Sequence, residues 1–401
     1  MTLVSGITIR SATENDVAGI GLLGSISFGF GYEPPERRTV EPIFPVDGAL
    51  VAVDGDRVVG HSASMAMTLT VPGARTVRAC GISAVGVAPT HRRRGILRAM
   101  YTEQHRRTEA DGVPVTIFTA SRATIYGRFG YAPTIQRNAV SIDRRFAQFL
   151  PSAPDPGGVT VEVPNDVTDR IKAVYDRWRR QTPGAQVRPE SSWAQRFADP
   201  PQWRAGETTL LALTHPDGYV LYRYRHDNQD PIVRVVEFRA VTTDAHAALW
   251  RALLGLDLVV RIEAEVPDND PLPYLLTDSR LMTTHDRSDS LWLRIMDVPA
   301  ALMARAYRRD LDVVLAVTDP FRDAGGVFAL RVRDGDAECA PTTRAPDLEL
   351  GIDVLGGIYL GAYPARAFAA ANRLRAKDIG QVRALDEAFA SERDAELGWF
   401  F

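Results

Sequence analysis

A run with strand character, Val85-Gly86-Val87, stops at Pro89 and passes through Arg92-Arg93-Arg94-Gly95 into a segment with apolar residues at Ile96, Leu97, Met100 and Tyr101. Val85 and Val87 alternate as a strand requires, and the apolar residues after Gly95 fall close to one helical stripe. A strand that turns on arginine and glycine into a helix constrains the chain to an α/β layer. It also leaves the first backbone N–H groups of that helix open on its N-terminal side. Those groups and the positive end of the helix dipole attract phosphate, and Gly95 has no side chain to block its approach. An arginine-rich turn also occurs as a plain solvated surface, so this stretch alone leaves both readings open.

The rest of the chain repeats the strand-helix alternation. Residues 1–150 carry strand cues at 7–9, 50–53 and 58–68, a helix at 14–27 and a buried apolar run at 115–120. The proline- and glycine-rich stretch 150–158 reads as a linker. From 159 to 290 the pattern partly recurs, with a helix at 171–180, a hairpin about Asp217-Gly218, a strand at 232–238 and a helix at 244–254. Where a phosphate turn would lie, 240–246 has no glycine and carries Asp244 at the expected helix cap, and a carboxylate there would occupy the N–H groups and repel an anion. A third unit, 291–401, opens on an alternating run at 291–296, continues with strands at 313–317 and 327–332, and ends in alanine-rich helices at 366–376 and 379–390.

Composition narrows the function classes. With 401 residues and 45% hydrophobic content the chain can bury several cores, and domain-size priors give two to four units. A net charge of −3, from 47 basic and 50 acidic residues, gives no general attraction to nucleic acid. Cys80 and Cys339 are the only cysteines, which excludes a disulfide framework and a cysteine-based zinc site, and no metal is expected. The N-terminal stretch has no apolar signal core and no window reaches the length of a membrane span, so a soluble, cytoplasmic protein without membrane partners is expected.

The string at 85–97 fits the pattern V-x-V-x-x-x-x-[RQ]-x-x-G-x-[GA] at Val85, Val87, Arg92 and Gly95, with Leu97 in place of the last small residue. It thereby resembles the coenzyme A signature of the GCN5-related N-acetyltransferases (GNAT). With SRATIYGRFGYAP at 121–133, THPDGYVLY at 214–222 and a carboxy-terminal phenylalanine, the chain is similar along nearly all its length to the enhanced intracellular survival (Eis) proteins of actinobacteria. The resemblance implies an α/β (α+β) architecture of tandem GNAT-fold domains followed by a sterol-carrier-protein-like domain. Residues 1–150 would be the catalytic GNAT domain, 159–290 a degenerate GNAT-like domain, and 291–401 the sterol-carrier-like domain, its C-terminus entering the active site. It further implies a homohexamer, and an N-acetyltransferase that uses acetyl-CoA as co-substrate on amines of polycationic acceptors, aminoglycosides and lysine side chains, by direct transfer in a ternary complex.

Acetyl transfer from a thioester to an amine needs a held coenzyme, a polarised carbonyl, a base and an acid. Main-chain N–H groups of Arg92, Arg93, Arg94, Gly95 and Ile96 would hold the pyrophosphate. The backbone of Val85, Gly86 and Val87 would pair with the pantetheine arm, with an N–H near Val85 at the thioester oxygen and Ser121 at the neighbouring strand end. Tyr126 follows the buried run at 115–120, and a phenol with a reference pKa near 10 is protonated at neutral pH, so it can protonate a thiolate. The family's general acid matches this position; the alternative is a packing tyrosine. No histidine pair or buried glutamate stands out as base, and His91 reads as a solvated turn residue. The resemblance assigns the base to the α-carboxylate of Phe401, whose apolar surroundings, Leu397-Gly398-Trp399-Phe400, favour burial and a raised pKa.

Phe28, Met65 and Ser83 match positions that line the acceptor pocket in the family. Phe30 and Phe400 stand where relatives carry acidic residues, and Glu33, Glu36 and Glu41 are the nearby candidates for compensating charge. Two other readings stay open at this point: a CoA- or lipid-binding scaffold with vestigial catalysis, and transfer of a longer acyl group.

Overall fold

The computed structural model describes residues 2–4, 6–29, 31–32, 34, 42–227 and 230–401, which build one sheet of thirteen strands and one of five. The first stretch of chain runs β1 (Thr2–Val4), β2 (Ile7–Ser11), α1 (Val17–Phe28), β3 (Leu50–Asp54), β4 (Arg57–Val71), β5 (Arg75–Val87), α2 (Ile96–Ala110), β6 (Val115–Phe118) and β7 (Ala132–Asp143). The second runs β8 (Thr160–Glu162), α3 (Thr168–Gln181), α4 (Glu190–Ala198), β9 (Leu211–His215), β10 (Gly218–Asp227), β11 (Asp230–Ala240), α5 (Thr243–Leu254), β12 (Arg261–Val266), α6 (Leu272–Leu275) and β13 (Met282–Ile295). The third comprises α7 (Val298–Ala304), β14 (Leu311–Thr318), β15 (Gly326–Arg333), β16 (Asp336–Pro341), β17 (Leu348–Gly351), α8 (Ile352–Ile358), α9 (Ala365–Ala370), β18 (Leu374–Ala376) and α10 (Ile379–Phe389).

The first two stretches are built alike. A long antiparallel hairpin, β4–β5 or β10–β11, is followed by a helix and then by a parallel strand, β6 or β12. The large sheet runs β1-β2-β3-β4-β5-β6-β13-β7-β12-β11-β10-β9-β8. The two units have therefore exchanged their last strands: β13 of the second lies against β6 of the first, and β7 of the first lies against β12 of the second. β7 and β13 also pair with each other along most of their length. The exchange converts what would be two exposed sheet edges into the middle of one continuous ladder.

Two boundaries differ from the sequence reading. The alternating run at 291–296, expected to open the third unit, supplies the end of β13 and sits between β6 and β7, so the first element outside the large sheet is α7 at Val298. Period-two alternation marks a half-buried strand without naming the sheet it joins. The helix expected at 366–376 stops at Ala370; Asn372 takes a left-handed turn with φ 56°, and the chain returns as β18 against β17. Asn tolerates that conformation at a helix end at low cost.

One core runs through all three units. Ile171, Val174, Tyr175 and Trp178 lie at i, i+3, i+4 and i+7 on α3, and all four are buried. They join a cluster holding Leu69 and Val77 of the β4–β5 hairpin, Leu291 and Leu293 of β13, and Val313, Leu350 and Leu355 of the third unit. Each side chain of this size contributes about 1.5–3 kcal/mol on burial.

Arg294 of β13 ties the units together by polar contacts. It is fully buried, donates through Nη1 to the carbonyl of Phe129 at 2.6 Å, and forms an ion pair with Asp319 of the third unit. Gly130 makes room for it, since a Cβ there would lie 1.7 Å from Arg294 Nη1 and the residue also has φ +80°. Arg294→Ala leaves the buried Asp319 carboxylate unpaired, and urea unfolding should show a loss of about 3–5 kcal/mol. Replacing both partners by apolar residues of similar volume should recover most of it, and a single-variant loss below about 1 kcal/mol would contradict a buried pair.

Candidate active site

β5 ends with a distortion that the sequence does not display. His61 pairs with Gly86 and Ala63 with Ser83, so Ala84 and Val85 together oppose the single residue Ser62, and Ala84 has φ 50°. This is a β-bulge, which leaves its extra residue outside the hydrogen-bond ladder. His61 Nδ1 lies 3.0 Å from the carbonyl of Ala84, and burial pushes the ring's pKa down, so a neutral imidazole donating through Nδ1–H fixes the bulge. β5 pairs with β6 only over Ala79–Gly81 against Val115–Ile117, and beyond Gly81 the two strands part.

A cavity of about 480 Å³ opens where they part. Val85, Gly86 and Val87 form one wall, Arg92, Arg93, Gly95 and Ile96 one end, and Ser121 and Tyr126 another side. At the arginine end Arg92 is extended with ψ 156°, Arg93 is left-handed with φ 64°, and Gly95 at the N-cap of α2 has φ 79°. Such alternation turns successive N–H groups toward one side as an anion nest, and no side chain caps the first turn of α2. Ile96 is buried against β2 and β3 residues and holds the helix start in place. The α1 helix closes the top: a Cβ on Gly86 would lie 2.7 Å from Ser27 Oγ. Uncapped amides, the lining arginines Arg92, Arg93 and Arg98, and a slot beside a bulged strand together fit a coenzyme pyrophosphate with its arm laid along β5.

The second unit lacks this end. Its α5 is capped by Thr242, whose hydroxyl accepts from the N–H of Ala245 at 3.2 Å, with Asp244 in the first turn. The cap residue is thus Thr242 rather than the Asp244 read from sequence, and the first turn is occupied in either case.

Tyr126 is 6% exposed and sits among Phe118, Tyr101 and Trp292, with ring centroids at 4.3, 6.1 and 6.3 Å. Burial pushes its phenol above the ordinary value, and a hydrogen bond with Ser121 pulls the other way. On the same segment the Thr119 hydroxyl donates to the main-chain oxygen of Phe401 at 2.7 Å. Phe401 is 7% exposed, with the rings of Trp399 and Phe44 at 5.2 and 6.3 Å. The chain's last residue thus reaches the strand end that carries Ser121.

Of the pocket residues read from sequence, Phe28 lines this cavity, whereas Met65 and Ser83 lie further along the β4–β5 hairpin. Met65 packs, like Phe44, against the main core that contains Phe401. Arg94 is not on the cavity lining. His91 is not simply solvated: it lines the cavity, with Nε2 3.0 Å from an Asp54 carboxylate oxygen. Phe400 is 75% exposed, and Phe30, Glu33, Glu36 and Glu41 lie outside the described residues. Thr119, Gln186 and Arg239, which contact the tail, carried no sequence signal because their partners are main-chain atoms far along the chain. Among the described residues no cluster of His, Cys, Asp and Glu could hold a metal ion, and no helix is long and apolar enough to cross a membrane.

Comparison with known proteins agrees with this geometry. The acetyltransferase (GNAT) domain family matches residues 8–134 and again 184–295, and the sterol carrier protein domain family matches 298–395. The N-acetyltransferase Eis of Mycobacterium tuberculosis is 46% identical over 407 residues, covering 98% of this chain and 100% of the relative. An uncharacterized N-acetyltransferase of Streptomyces avermitilis is 34% identical, covering 91% of this chain and 92% of its own length. The crystal structure of Eis1 from Mycobacterium abscessus superposes with a TM-score of 0.87 at 30% identity, covering 98% of this chain and all of the other. A cleft suited to an acyl-CoA, repeated in degenerate form and followed by a sterol-carrier fold, places the chain in the Eis family of GNAT N-acetyltransferases.

Proposed function

We propose that the donor is acetyl-CoA and that the acceptors are amines of polycations, aminoglycosides and lysine side chains, acetylated directly in a ternary complex. The observation that carries the reading is that Ser121 and Tyr126 line the cavity, while Thr119, two residues before Ser121 on the segment leaving β6, donates to the main-chain oxygen of Phe401. The amides of residues 92–96 hold the pyrophosphate and the flanking arginines add positive charge. The backbone of Val85, Gly86 and Val87 aligns the pantetheine arm, with the Val85 N–H facing the carbonyl oxygen as negative charge develops there. The Phe401 carboxylate takes a proton from the acceptor ammonium, the amine attacks the thioester carbon, Tyr126 gives its proton to the departing sulfur, and the extra proton left on the new amide nitrogen restores the phenol. Phe28, Met65 and Ser83 border the acceptor's path.

A covalent acetyl-enzyme is disfavoured because Cys80 is buried beneath α2, bonded by Gln104 Nε2 at 3.7 Å, and burial pushes its thiol pKa up, away from the reactive thiolate. The same reading takes the enzyme to be a cytoplasmic homohexamer. Leu258, Tyr274 and Ile379, each more than three-quarters exposed, are apolar side chains available to subunit contacts.

Incubation with acetyl-CoA and an aminoglycoside should release free thiol well above background, and no release would remove the proposed donor and acceptor pair. Tyr126→Phe should lower kcat by about 10²–10⁴-fold with the Kd for CoA nearly unchanged, because it deletes only the transferable proton; an unaltered rate would discard the acid assignment. The raised phenol pKa predicts the sign of the pH profile. The acid form persists past the ordinary value of about 10, so kcat should show no alkaline fall attributable to Tyr126 below that pH. Sedimentation should return six times the 44.1 kDa chain mass, and a monomer would overturn the assembly.

A further inference from the structure

A second cavity, of about 580 Å³, lies between β11, β12 and the chain's last residues. It is the second unit's counterpart of the coenzyme cleft. β11 bulges at Val236, between the pairs Leu221–Glu237 and Tyr222–Val235, and it pairs with β12 only from Ile232 to Arg234 before the two strands part. With α5 capped by Thr242, the seat for an anion is closed while the gap between the strands persists. Along the gap lies the end of the chain.

Arg239, near the end of β11, stacks on Trp178 with its guanidinium carbon 4.1 Å from the ring centroid. Its Nη2 donates to the carbonyls of both Leu397 and Gly398 at 2.9 Å. Glu396 faces it at 3.8 Å, and Arg393 donates to the carbonyl of Ala240 at 2.8 Å. On the other side Gln186 Oε1 accepts from the N–H groups of Gly398 and Trp399 at 3.2 and 3.4 Å. Gly398 leaves no space for a side chain, since a Cβ would lie 2.4 Å from Tyr175 Oη.

We propose that the second unit's cleft, in place of a coenzyme, receives the tail from Arg393 to Phe400, and that Arg239 is the positioning residue that fixes where the Phe401 carboxylate lies. This rests on the reading of that carboxylate as the base. With the main chain pinned at Trp399, only two residues remain to Phe401, a reach of about 7 Å. With those pins gone, the main chain at Leu397–Trp399 is held only from its flanks, by Asp394 on Asn269, the Glu396 amide on the Pro183 carbonyl and the Trp399 indole on the Val187 carbonyl, and the base samples a larger volume. A guanidinium suits the task because its planar fork serves two carbonyls while its face stays on an indole.

The test uses the full chain with Arg239→Ala, Arg239→Lys and Gly398→Ala, beside deletion of Phe401. Read out are kcat, the Kd for CoA, the acidic limb of the pH profile, and hydrogen exchange at the Gly398 and Trp399 amides. Arg239→Ala and Gly398→Ala should each lower kcat by about tenfold or more, leave the Kd for CoA within about twofold, and lose amide protection, with Arg239→Lys recovering part of the rate. Gly398→Ala adds one methyl group to the tail alone, so it stands if Arg239→Ala fails to fold. Wild-type kcat despite lost protection, or protection retained in both variants, overturns the proposal. An unchanged kcat after deletion of Phe401 instead overturns the base assignment, whatever the tail does.

Discussion

The exchange of β7 and β13 between the two acetyltransferase-like units is the constraint on which the rest of the structure depends. Because β13 lies against β6, the wall behind Tyr126 is supplied by the second unit: Trp292 of β13 stacks on Phe118 at 6.2 Å with an interplanar angle of 13° and stands against Tyr126. Its Nε1–H is held by Asp289 at 2.5 Å on the same strand. Two residues on, Arg294 reaches the third unit through Asp319. This cleft therefore cannot reach its final shape until some 165 residues of intervening chain have returned to it, as the Phe129–Arg294 hydrogen bond shows. The entropy of closing that loop rises only slowly with its length, so the burial of β13 between two neighbours outweighs it readily.

Buried guanidiniums do the joining between units. Of the 47 basic residues only Lys172 and Lys377 are lysines, and the inter-unit positions use arginine, whose five donors in one plane satisfy several carbonyls at once. Arg239 of the second unit donates to the carbonyls of Leu397 and Gly398 of the third at 2.9 Å, and within the third unit the fully buried Arg305 likewise serves the carbonyls of Tyr359 at 2.5 Å and Phe389 at 2.7 Å. Glu237 shows the converse. Burial pushes its carboxyl up, yet Arg188, Arg239 and Arg196 together hold it down to about 2. Desolvating such groups is costly, and they persist because each polar partner accepts few alternatives, which sets how the units register on one another.

The cradle was legible in the sequence because every part of it is local. The alternation of Val85 and Val87, the glycine at 95 and the helical stripe that ends at Tyr101 lie within seventeen residues, and local backbone preference decides them. Tyr126 was singled out by family resemblance and does line the cavity, while its surroundings were not legible, since Trp292 comes from a strand 166 positions away whose pattern would fit either sheet. The bulge at Ala84–Val85 was hidden for a related reason: it is defined by the register against β4, a property of two strands together. The helix expected at 366–376 misled because alanine favours a helix, whereas Asn372 and the pairing of β18 with β17 ended it.

The tail is the extreme case of a non-local site. It leaves α10 of the third unit, passes Arg239 and Gln186 of the second, and ends on Thr119 of the first. Side chains anchor its start, where Arg393 donates to the Ala240 carbonyl and Asp394 accepts from the Asn269 amide and side chain at 2.8 Å, whereas nearer the end side-chain identity matters at Gly398, where bulk is excluded, and at Trp399, whose Nε1–H donates to the carbonyl of Val187 at 3.2 Å. Ordering each of these residues costs about 1–2 kcal/mol of backbone entropy, which a string of hydrogen bonds worth about 1 kcal/mol each can match only with the burial of Trp399 and Phe401 added. A group placed by so near a balance sits well only if the surface beneath it is rigid. The Gln186 segment meets that need, because the amide of Thr70 donates to the Ala185 carbonyl at 2.8 Å and the amide of Val187 to that of Thr68 at 3.1 Å, which extends the first unit's own sheet under the tail.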